Sequence, residues 1–249
     1  MALRFAGDDV TAAGVRQRRF DVRHEGRVIP GQLWTPEGAT GPRPLVLVGH
    51  GAGASKTGPY VVALGRRFVR HHGFAAAAID GPVHGDRRND GGGSEISFLE
   101  FGQAWQNQPR LLDEAVSDWT CTLDALEELP DVGRGPVGYW GVSMGTILGL
   151  PFVAAEPRVI AAVLGLMGIS GPTKERHRRD AERLKVPVHF VLQWDDELFA
   201  REKGFALFEA IGSSDKRLHA GPGKHAEISR AAFDDSERFL AEHLRAAFA

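Results

Sequence analysis

Residues 141–145 carry the pattern most able to do chemistry, reading Gly-Val-Ser-Met-Gly. An apolar run precedes this Gly-x-Ser-x-Gly motif and a helical pattern follows it, which is the order needed for a serine on a sharp strand-to-helix turn. The two glycines lack the Cβ atoms that would crowd such a turn. The motif predicts that Ser143 is a nucleophile and that the N–H of Met144, at the helix start, binds a developing oxyanion. The alternative is a glycine-rich turn in which the serine only caps the helix.

A serine nucleophile needs two further side chains. Serine is a weak nucleophile at its own pKa, so a base must take the hydroxyl proton as the oxygen attacks. Histidine suits this role because its pKa, about 6.5, lets it accept and return a proton near neutrality. A carboxylate must then hold the imidazole in the correct tautomer. Ten histidines compete for the role of base, so the choice depends on where each one lies in the fold.

The elements that must position these groups follow from hydrophobic periodicity. Strands are predicted at 45–49, 74–79, 137–142, 159–166, 186–193 and 216–219, after an N-terminal β-hairpin at 17–35. Helices are predicted at about 59–72, 110–129, 173–184, 200–211 and 226–246, with one more directly after Ser143. Strands that alternate with helices predict a doubly wound, mostly parallel α/β sheet with helices on both faces. Residues 1–249 contain no repeat or linker, so a single domain is predicted.

This order of elements around a serine elbow resembles the α/β-hydrolase superfamily over nearly the whole chain. The small cap, the Gln-Trp-Asp-Asp segment at 193–196 and the His-Gly pair at 50–51 are most similar to its dienelactone-hydrolase-like and carboxylesterase branch. True dienelactone hydrolases use a cysteine nucleophile, whereas this elbow carries Ser143 and the one cysteine, Cys121, lies inside a predicted helix. The resemblance therefore favours serine-esterase chemistry over dienelactone hydrolysis.

The resemblance also implies the rest of a catalytic triad, which in this superfamily runs serine, acid, histidine along the chain. The base it implies is His225, in a Gly/Pro loop directly before the last helix. The acid it implies is Asp195 or Asp196, and the usual spacing after this strand favours Asp196. The other aspartate, or Glu197, is expected to cap the helix that follows.

The loop at 50–53, His-Gly-Ala-Gly, resembles the loop that supplies the second N–H of the oxyanion hole in this superfamily. The resemblance implies that the backbone of Ala52 donates beside that of Met144, with either neighbouring glycine as the alternative. His50 is expected to brace this backbone rather than to move protons.

Residues 81–109, which include the segment 86–109, show no clean period and lie at the carboxyl end of a predicted strand, where open α/β sheets bind ligands. They predict a small lid over Ser143, with a flexible entry at Gly91-Gly92-Gly93. The alternative is a surface loop whose aromatic side chains fold back onto the core. The side chains expected to line the substrate pocket are Phe98, Phe101, Trp105 and, from another loop, Trp194.

Composition excludes several classes of function. With 30 basic and 32 acidic residues the net charge is −2, which gives no reason to expect nucleic acid or an anionic membrane as a partner. One cysteine excludes an intrachain disulfide and a cysteine-based metal cage, and His84 with Asp86 has no evident third ligand. No apolar run approaches the roughly 20 residues of a membrane span. Residues 1–9 carry early charges and do not resemble a signal peptide, so a cytoplasmic location is expected.

These features together predict a serine hydrolase that needs no cofactor or metal and cleaves small-molecule carboxylic esters through an acyl-enzyme. The same triad would serve a thioesterase, an amidase or peptidase, or a perhydrolase. A non-catalytic binding protein of the same fold is the alternative from another class, although such proteins usually lack one member of the triad. Neither the substrate nor the oligomeric state follows from the sequence.

Overall fold

The computed structural model describes residues 3–88 and 94–248, so Gly91-Gly92-Gly93 and the predicted flexible entry lie outside the described residues. Within the described part, nine strands form one sheet. The strands are β1 (Leu3–Ala12), β2 (Val15–His24), β3 (Arg27–Pro36), β4 (Leu45–Gly49), β5 (Ala75–Ile79), β6 (Val137–Gly141), β7 (Val159–Gly165), β8 (Val188–Gln193) and β9 (Lys216–Gly221). The helices are α1 (Pro59–His72), α2 (Ser94–Asn107), α3 (Leu111–Glu127), α4 (Met144–Ala155), α5 (Lys174–Arg183), α6 (Arg201–Ala210) and α7 (Arg230–Phe248).

The strand order, β1-β2-β3-β5-β4-β6-β7-β8-β9, places the Gly-x-Ser-x-Gly motif, which follows β6, near the centre of the sheet. β1, β2 and β3 form an antiparallel meander, β3 is antiparallel to β5, and the pairs from β5 to β9 are parallel. β4 pairs with β5 on one side and with β6 on the other, so the chain reverses its direction of winding between β4 and β6. The loops that leave these two strands meet at a topological switch point, where such sheets bind ligands.

Helices cover both faces of the parallel strands, which explains why those strands are almost continuously apolar. Every residue of β4, β5 and β6 is buried. On one face, α1 and α7 pack over a cluster that includes Trp34, Phe68 and Trp140. On the other face, α2 to α6 pack over a cluster that includes Tyr139 and Phe152. The predicted doubly wound α/β sheet and its N-terminal hairpin are confirmed.

Two elements were not foreseen. β1 is an edge strand whose residues are mostly exposed, so it carries little hydrophobic periodicity, and its pairing with β2 shifts between Ala6 and Val10. α2 occupies part of the segment at 86–109, which was predicted as a lid without any regular element. Its signal was present, because Phe98, Phe101 and Trp105 stand at the i, i+3 and i+7 spacing of a helix face.

Candidate active site

Ser143 lies on a strained turn between β6 and α4. Its φ and ψ are 59° and −123°, and its N–H donates to the Gly165 carbonyl at 2.9 Å. Positive φ is unusual for a residue with a side chain and marks a conformation that its surroundings must enforce. A Cβ on residue 145 would lie 2.6 Å from the carbonyl oxygen of Gly49, so only glycine permits α4 to approach β4 this closely. The geometry is that of a nucleophile elbow.

Two buried hydroxyl groups hold this turn. Thr146 Oγ1 accepts the N–H of Gly165 at 2.8 Å and lies 2.8 Å from the carbonyl oxygen of Gly141. The hydroxyl of Tyr139 donates to the carbonyl of Gly145 at 2.7 Å. Sequence reasoning did not single out either side chain, although a polar residue inside an apolar run is a signal for such a role, because buried polar groups require partners.

The imidazole of His225 links Ser143 to Asp196. His225 Nε2 lies 2.8 Å from Ser143 Oγ, and His225 Nδ1 lies 2.8 Å from Asp196 Oδ2. A carboxylate can only accept hydrogen bonds, so Nδ1 of His225 carries the proton and Nε2 of the same ring is left as the acceptor for the serine hydroxyl. The structure thus brings together the three residues predicted as a triad, and it joins Asp196 rather than Asp195 to the histidine.

Backbone hydrogen bonds fix the position of the Asp196 carboxylate. Its Oδ1 accepts the N–H groups of Leu198 and Phe199 at 2.8 and 2.9 Å, and the side chain is 4% exposed. Burial alone would raise the pKa of Asp196, but the hydrogen bonds from His225 and from the two backbone N–H groups outweigh it and lower that pKa. The carboxylate is therefore ionised where it can stabilise an imidazolium.

The neighbouring carboxylates do not cap α6, and that prediction is wrong. Glu197 Oε2 accepts the N–H of His225 at 2.9 Å, while Asp195 Oδ2 lies 3.4 Å from the N–H of Gly223. Ala200 stands at the helix N-cap without a capping side chain. Both carboxylates instead bind backbone of the loop that carries the histidine, because β8 and β9 are adjacent and their loops face each other.

The second oxyanion donor was predicted at residue 52, with residues 51 and 53 as alternatives, and two of these three N–H groups have partners. The N–H of Gly51 donates to the Tyr60 hydroxyl at 2.6 Å, and the N–H of Gly53 donates to His84 Nε2 at 3.0 Å. Within residues 3–88 and 94–248, the N–H groups of Ala52 and Met144 have no hydrogen-bond partner. Of the three possible donors in this loop, Ala52 is thus the one available to a ligand.

Two neutral histidines brace the same loop. His50 Nδ1 donates to the Gly51 carbonyl at 2.9 Å, and its Nε2 accepts the N–H of Gly81 at 2.9 Å. His84 Nδ1 donates to the Pro82 carbonyl at 2.7 Å, which leaves its Nε2 to accept from the loop. Burial lowers the pKa of His50 to about 4 and also lowers that of His84. Both rings therefore act as fixed hydrogen-bonding groups near neutral pH.

A buried ion pair anchors the far end of the loop. Lys56 Nζ lies 2.6 Å from Asp80 Oδ2 and 2.8 Å from Asp86 Oδ2, and Asp80 is fully buried. The other carboxylate oxygen of Asp80 accepts the N–H of Lys56 at 2.9 Å. Asp86 thus binds a lysine, and both ring nitrogens of His84 bind backbone groups.

One group of solved structures resembles this chain over nearly its whole length. No protein-family model and no curated protein matches the chain. Among solved structures, it is similar to a cold-adapted esterase from an Arctic intertidal metagenomic library, with 35% identity and a TM-score of 0.87 over 97% of this chain and 99% of that one. This chain is an esterase of the α/β-hydrolase fold. It is an ester-cleaving hydrolase.

More distant structures share the fold of this esterase. Acetyl xylan esterase 1 from Thermoanaerobacterium is 18% identical with a TM-score of 0.69, over 96% of this chain and 87% of that one. A dienelactone hydrolase from Anabaena variabilis is 22% identical with a TM-score of 0.67, over 95% of this chain and all of that one. No helix in the described part of the esterase is long and apolar enough to cross a membrane.

The aromatic residues predicted to line the pocket have divergent environments. Phe101 is buried, its ring stacks on Trp105 at 6.3 Å, and it lies 6.0 Å from the ring of His84. Trp105 Nε1 donates to Thr173 Oγ1 at 2.6 Å. Phe98 and Trp194 are 43% and 38% exposed. α2 therefore packs through Phe101 against His84, which in turn binds the loop at 50–53, and Phe98 lies on the outer side of α2.

On the other side of the oxyanion loop, the esterase has an apolar cavity of about 320 Å³ beside Tyr60. The cavity is lined by Tyr60, Ala63, Leu64, Arg67, Ile228, Arg230 and Phe233. Tyr60 also contacts the loop at 50–53, because its hydroxyl accepts the N–H of Gly51. Sequence reasoning missed this cavity, and it also missed Phe199, whose ring lies 5.7 Å from that of His225.

Proposed function

We propose that this esterase cleaves small-molecule carboxylic esters through an acyl-enzyme on Ser143, with His225 as the base and Asp196 as the residue that positions it. The observation that carries the proposal is the continuous hydrogen-bonded relay of two 2.8 Å contacts from Ser143 Oγ through the imidazole to the Asp196 carboxylate. Its polarity matches general-base catalysis, since Nε2 is free to accept the serine proton.

In the first half of the reaction, Ser143 Oγ attacks the acyl carbon while His225 Nε2 takes the hydroxyl proton. The carbonyl oxygen gains the negative charge, and the unpaired N–H groups of Ala52 and Met144 are the proposed donors to it. One such donor typically contributes about 3–4 kcal/mol. The tetrahedral intermediate then collapses, the ester C–O bond breaks, and the imidazolium returns its proton to the departing alkoxide.

In the second half, water attacks the acyl-enzyme and His225 takes one of its protons. The same backbone N–H groups bind the second oxyanion. Collapse breaks the bond to Ser143 Oγ, which recovers its proton from the imidazolium, and the carboxylic acid leaves. Asp196 remains ionised throughout and stabilises the charged imidazole twice in each cycle.

We propose that the substrate is divided between two regions that contact the loop at 50–53, one through His84 and the other through Tyr60. On one side lies α2 with Phe101 and Trp105, and we retain these residues with Phe98 as a proposed lid. On the other side lies the cavity beside Tyr60, which has room for an apolar acyl or alkyl group. Trp194 is the least supported pocket residue, since its ring packs with Phe205 instead.

Filling the cavity tests that division. Ile228→Trp should reduce the rate for long-chain p-nitrophenyl esters more than for the acetate, because the indole would occupy the apolar space. Val28→Trp is the matched control, since Val28 is 40% exposed on β3 and does not line the cavity. An unchanged chain-length profile in Ile228→Trp would show that the substrate lies elsewhere.

The proposed nucleophile is tested by covalent labelling. A fluorophosphonate probe should label the wild type once, at Ser143, and Ser143→Ala should remain unlabelled and fall below about a thousandth of wild-type turnover. Ser117→Ala is the control, because its hydroxyl lies 2.7 Å from His24 and has no part in the relay. Thioester and anilide substrates assayed beside esters distinguish esterase activity from thioesterase or amidase activity.

From the sequence, we also propose that residues 1–249 form a single domain and that the protein has a cytoplasmic location.

A further inference from the structure

Three potential metal ligands meet where the last turn of α1 packs against α7. His71 Nδ1 lies 2.7 Å from Glu237 Oε1, and His72 Nε2 lies 2.9 Å from the same oxygen. All three donor atoms fall within 4.8 Å of one another. The proposed reaction uses none of them. α1 begins just after the oxyanion loop and is 14 residues long, so its last turn is about 20 Å along the helix from that end.

The donor set matches the preferences of a divalent transition metal. Two imidazole nitrogens and one carboxylate oxygen are ligands that zinc binds at about 2.0–2.2 Å, with a water molecule able to take a fourth position. At a tetrahedral centre, neighbouring ligand atoms are about 3.3 Å apart. The two contacts to Glu237 would therefore lengthen by about 0.5 Å, which small rotations of the side chains supply. His71 is half exposed, which gives an ion a route from solvent.

Two arginines beside the cluster have opposite effects. Arg67 Nε donates to Glu237 Oε2 at 2.5 Å, which orients the carboxylate and leaves Oε1 toward the histidines. Such a partner behind a ligand is common in metal sites. Arg245 Nη2 lies 2.6 Å from His72 Nδ1 and donates to it, which places the His72 proton on the Nε2 that a metal would need. Arg245 is exposed, so it can move away when the ring changes tautomer.

We propose that His71, His72 and Glu237 form a surface site for a divalent transition metal such as zinc, which would join α1 to α7. The ion would replace two N–H···O hydrogen bonds by three bonds to one centre, and two imidazole protons would leave or change nitrogen. The site is independent of the proposed catalytic relay. It was not expected from the sequence, because its ligands come from segments about 165 residues apart.

The test is zinc binding to the purified full-length protein by competition with a chromophoric chelator, together with thermal melting. Wild type should bind one zinc ion at the cluster, and its melting temperature should rise by roughly 5 to 10 °C at 100 times the dissociation constant. His71→Ala and His72→Ala should each weaken this binding at least about tenfold. Arg245→Gln should strengthen it, since the competing donor to His72 is gone.

His243→Gln is the matched control, because His243 lies on α7 but contacts Phe239 and Asp215 instead of the cluster. Its zinc binding should equal that of wild type. The double variant His71→Ala/His72→Ala should retain ester hydrolysis, which verifies that it folds. The proposal is overturned if this folded double variant binds zinc as tightly as wild type, or if wild type shows neither zinc binding nor a rise in melting temperature.

Discussion

Asp196→Asn is the most decisive test of the proposed relay, because it changes one oxygen to an NH₂ group at constant size. Oδ1 of Asp196 accepts two backbone N–H groups, those of Leu198 and Phe199. An asparagine must keep its amide oxygen on that side, since the opposite orientation would set its NH₂ against two donors. The NH₂ group therefore faces Nδ1 of His225, which is itself a donor in the wild type.

Two donors cannot share a hydrogen bond, so the imidazole must move its proton from Nδ1 to Nε2. Nε2 then presents an N–H to Ser143 Oγ, 2.8 Å away, and cannot take the serine proton. Loss of the correct tautomer costs on the order of 10⁴-fold in kcat, equivalent to about 5 kcal/mol in the barrier. Asp195→Asn is the matched control, because the Asp195 side chain is exposed and its Oδ2 lies 3.4 Å from the N–H of Gly223 rather than beside the imidazole. Its rate should stay close to that of wild type.

The assay is kcat and KM for p-nitrophenyl acetate at several pH values, with melting temperatures measured on the same samples. The expected result for Asp196→Asn is a large fall in kcat with little change in melting temperature. A folded Asp196→Asn that keeps more than about a hundredth of wild-type kcat would refute the tautomer argument. A larger loss in Asp195→Asn would reassign the acid.

Three further predictions address the surroundings of the relay. Gly145→Ala should lower kcat and cost about 1–3 kcal/mol of stability, since the new Cβ would lie 2.6 Å from the Gly49 carbonyl oxygen. Enzyme kinetics and urea unfolding would measure the two effects, and a variant with unchanged kcat and stability would contradict the tight turn. Trp105→Ala should shift the preferred ester chain length and lower the free energy of unfolding by about 3 kcal/mol, because the ring stacks on Phe101. A lower melting temperature with an unchanged chain-length profile would exclude a role of Trp105 in a lid. The free energy of unfolding should fall by on the order of 3 kcal/mol, from His50 alone, as the pH drops from 6.5 to about 4. In this range the unfolded state binds a proton on His50 and the folded state does not, because burial lowers the pKa of the folded-state imidazole. His50→Gln should flatten the dependence of this free energy on pH, and an equal slope in the variant would contradict a neutral buried ring.

The parts of the site that local sequence could predict are those built from neighbouring residues. The elbow around Ser143 depends on a strand, two glycines and a helix start within a few positions, so its geometry follows from the motif. The choice of Asp196 over Asp195 instead required the resemblance to a family. Side-chain alternation cannot decide it, because both residues lie in the same loop beyond the end of β8.

Other features depend on contacts between distant segments. Among the backbone N–H groups of residues 51–53, that of Ala52 is free because Tyr60 and His84 accept the N–H groups on either side of it. Helix α2 was hidden by the polar, glycine-rich residues around it, although Phe98, Phe101 and Trp105 kept a helical spacing. The edge strand β1 was missed because exposure on both sides removes the alternation that marks a half-buried strand.

The relay is divided along the chain, and this division affects how the enzyme is made. Ser143 and the oxyanion loop lie in the first 145 residues, whereas Asp196 and His225 belong to loops near the other end. Because synthesis proceeds from the N-terminus, a growing chain carries the serine and its anion-binding backbone before the base exists. A serine without its base is a weak nucleophile. In the proposed mechanism, the growing polypeptide therefore has no base for Ser143 until the loop that carries His225 has been made and β9 pairs with β8.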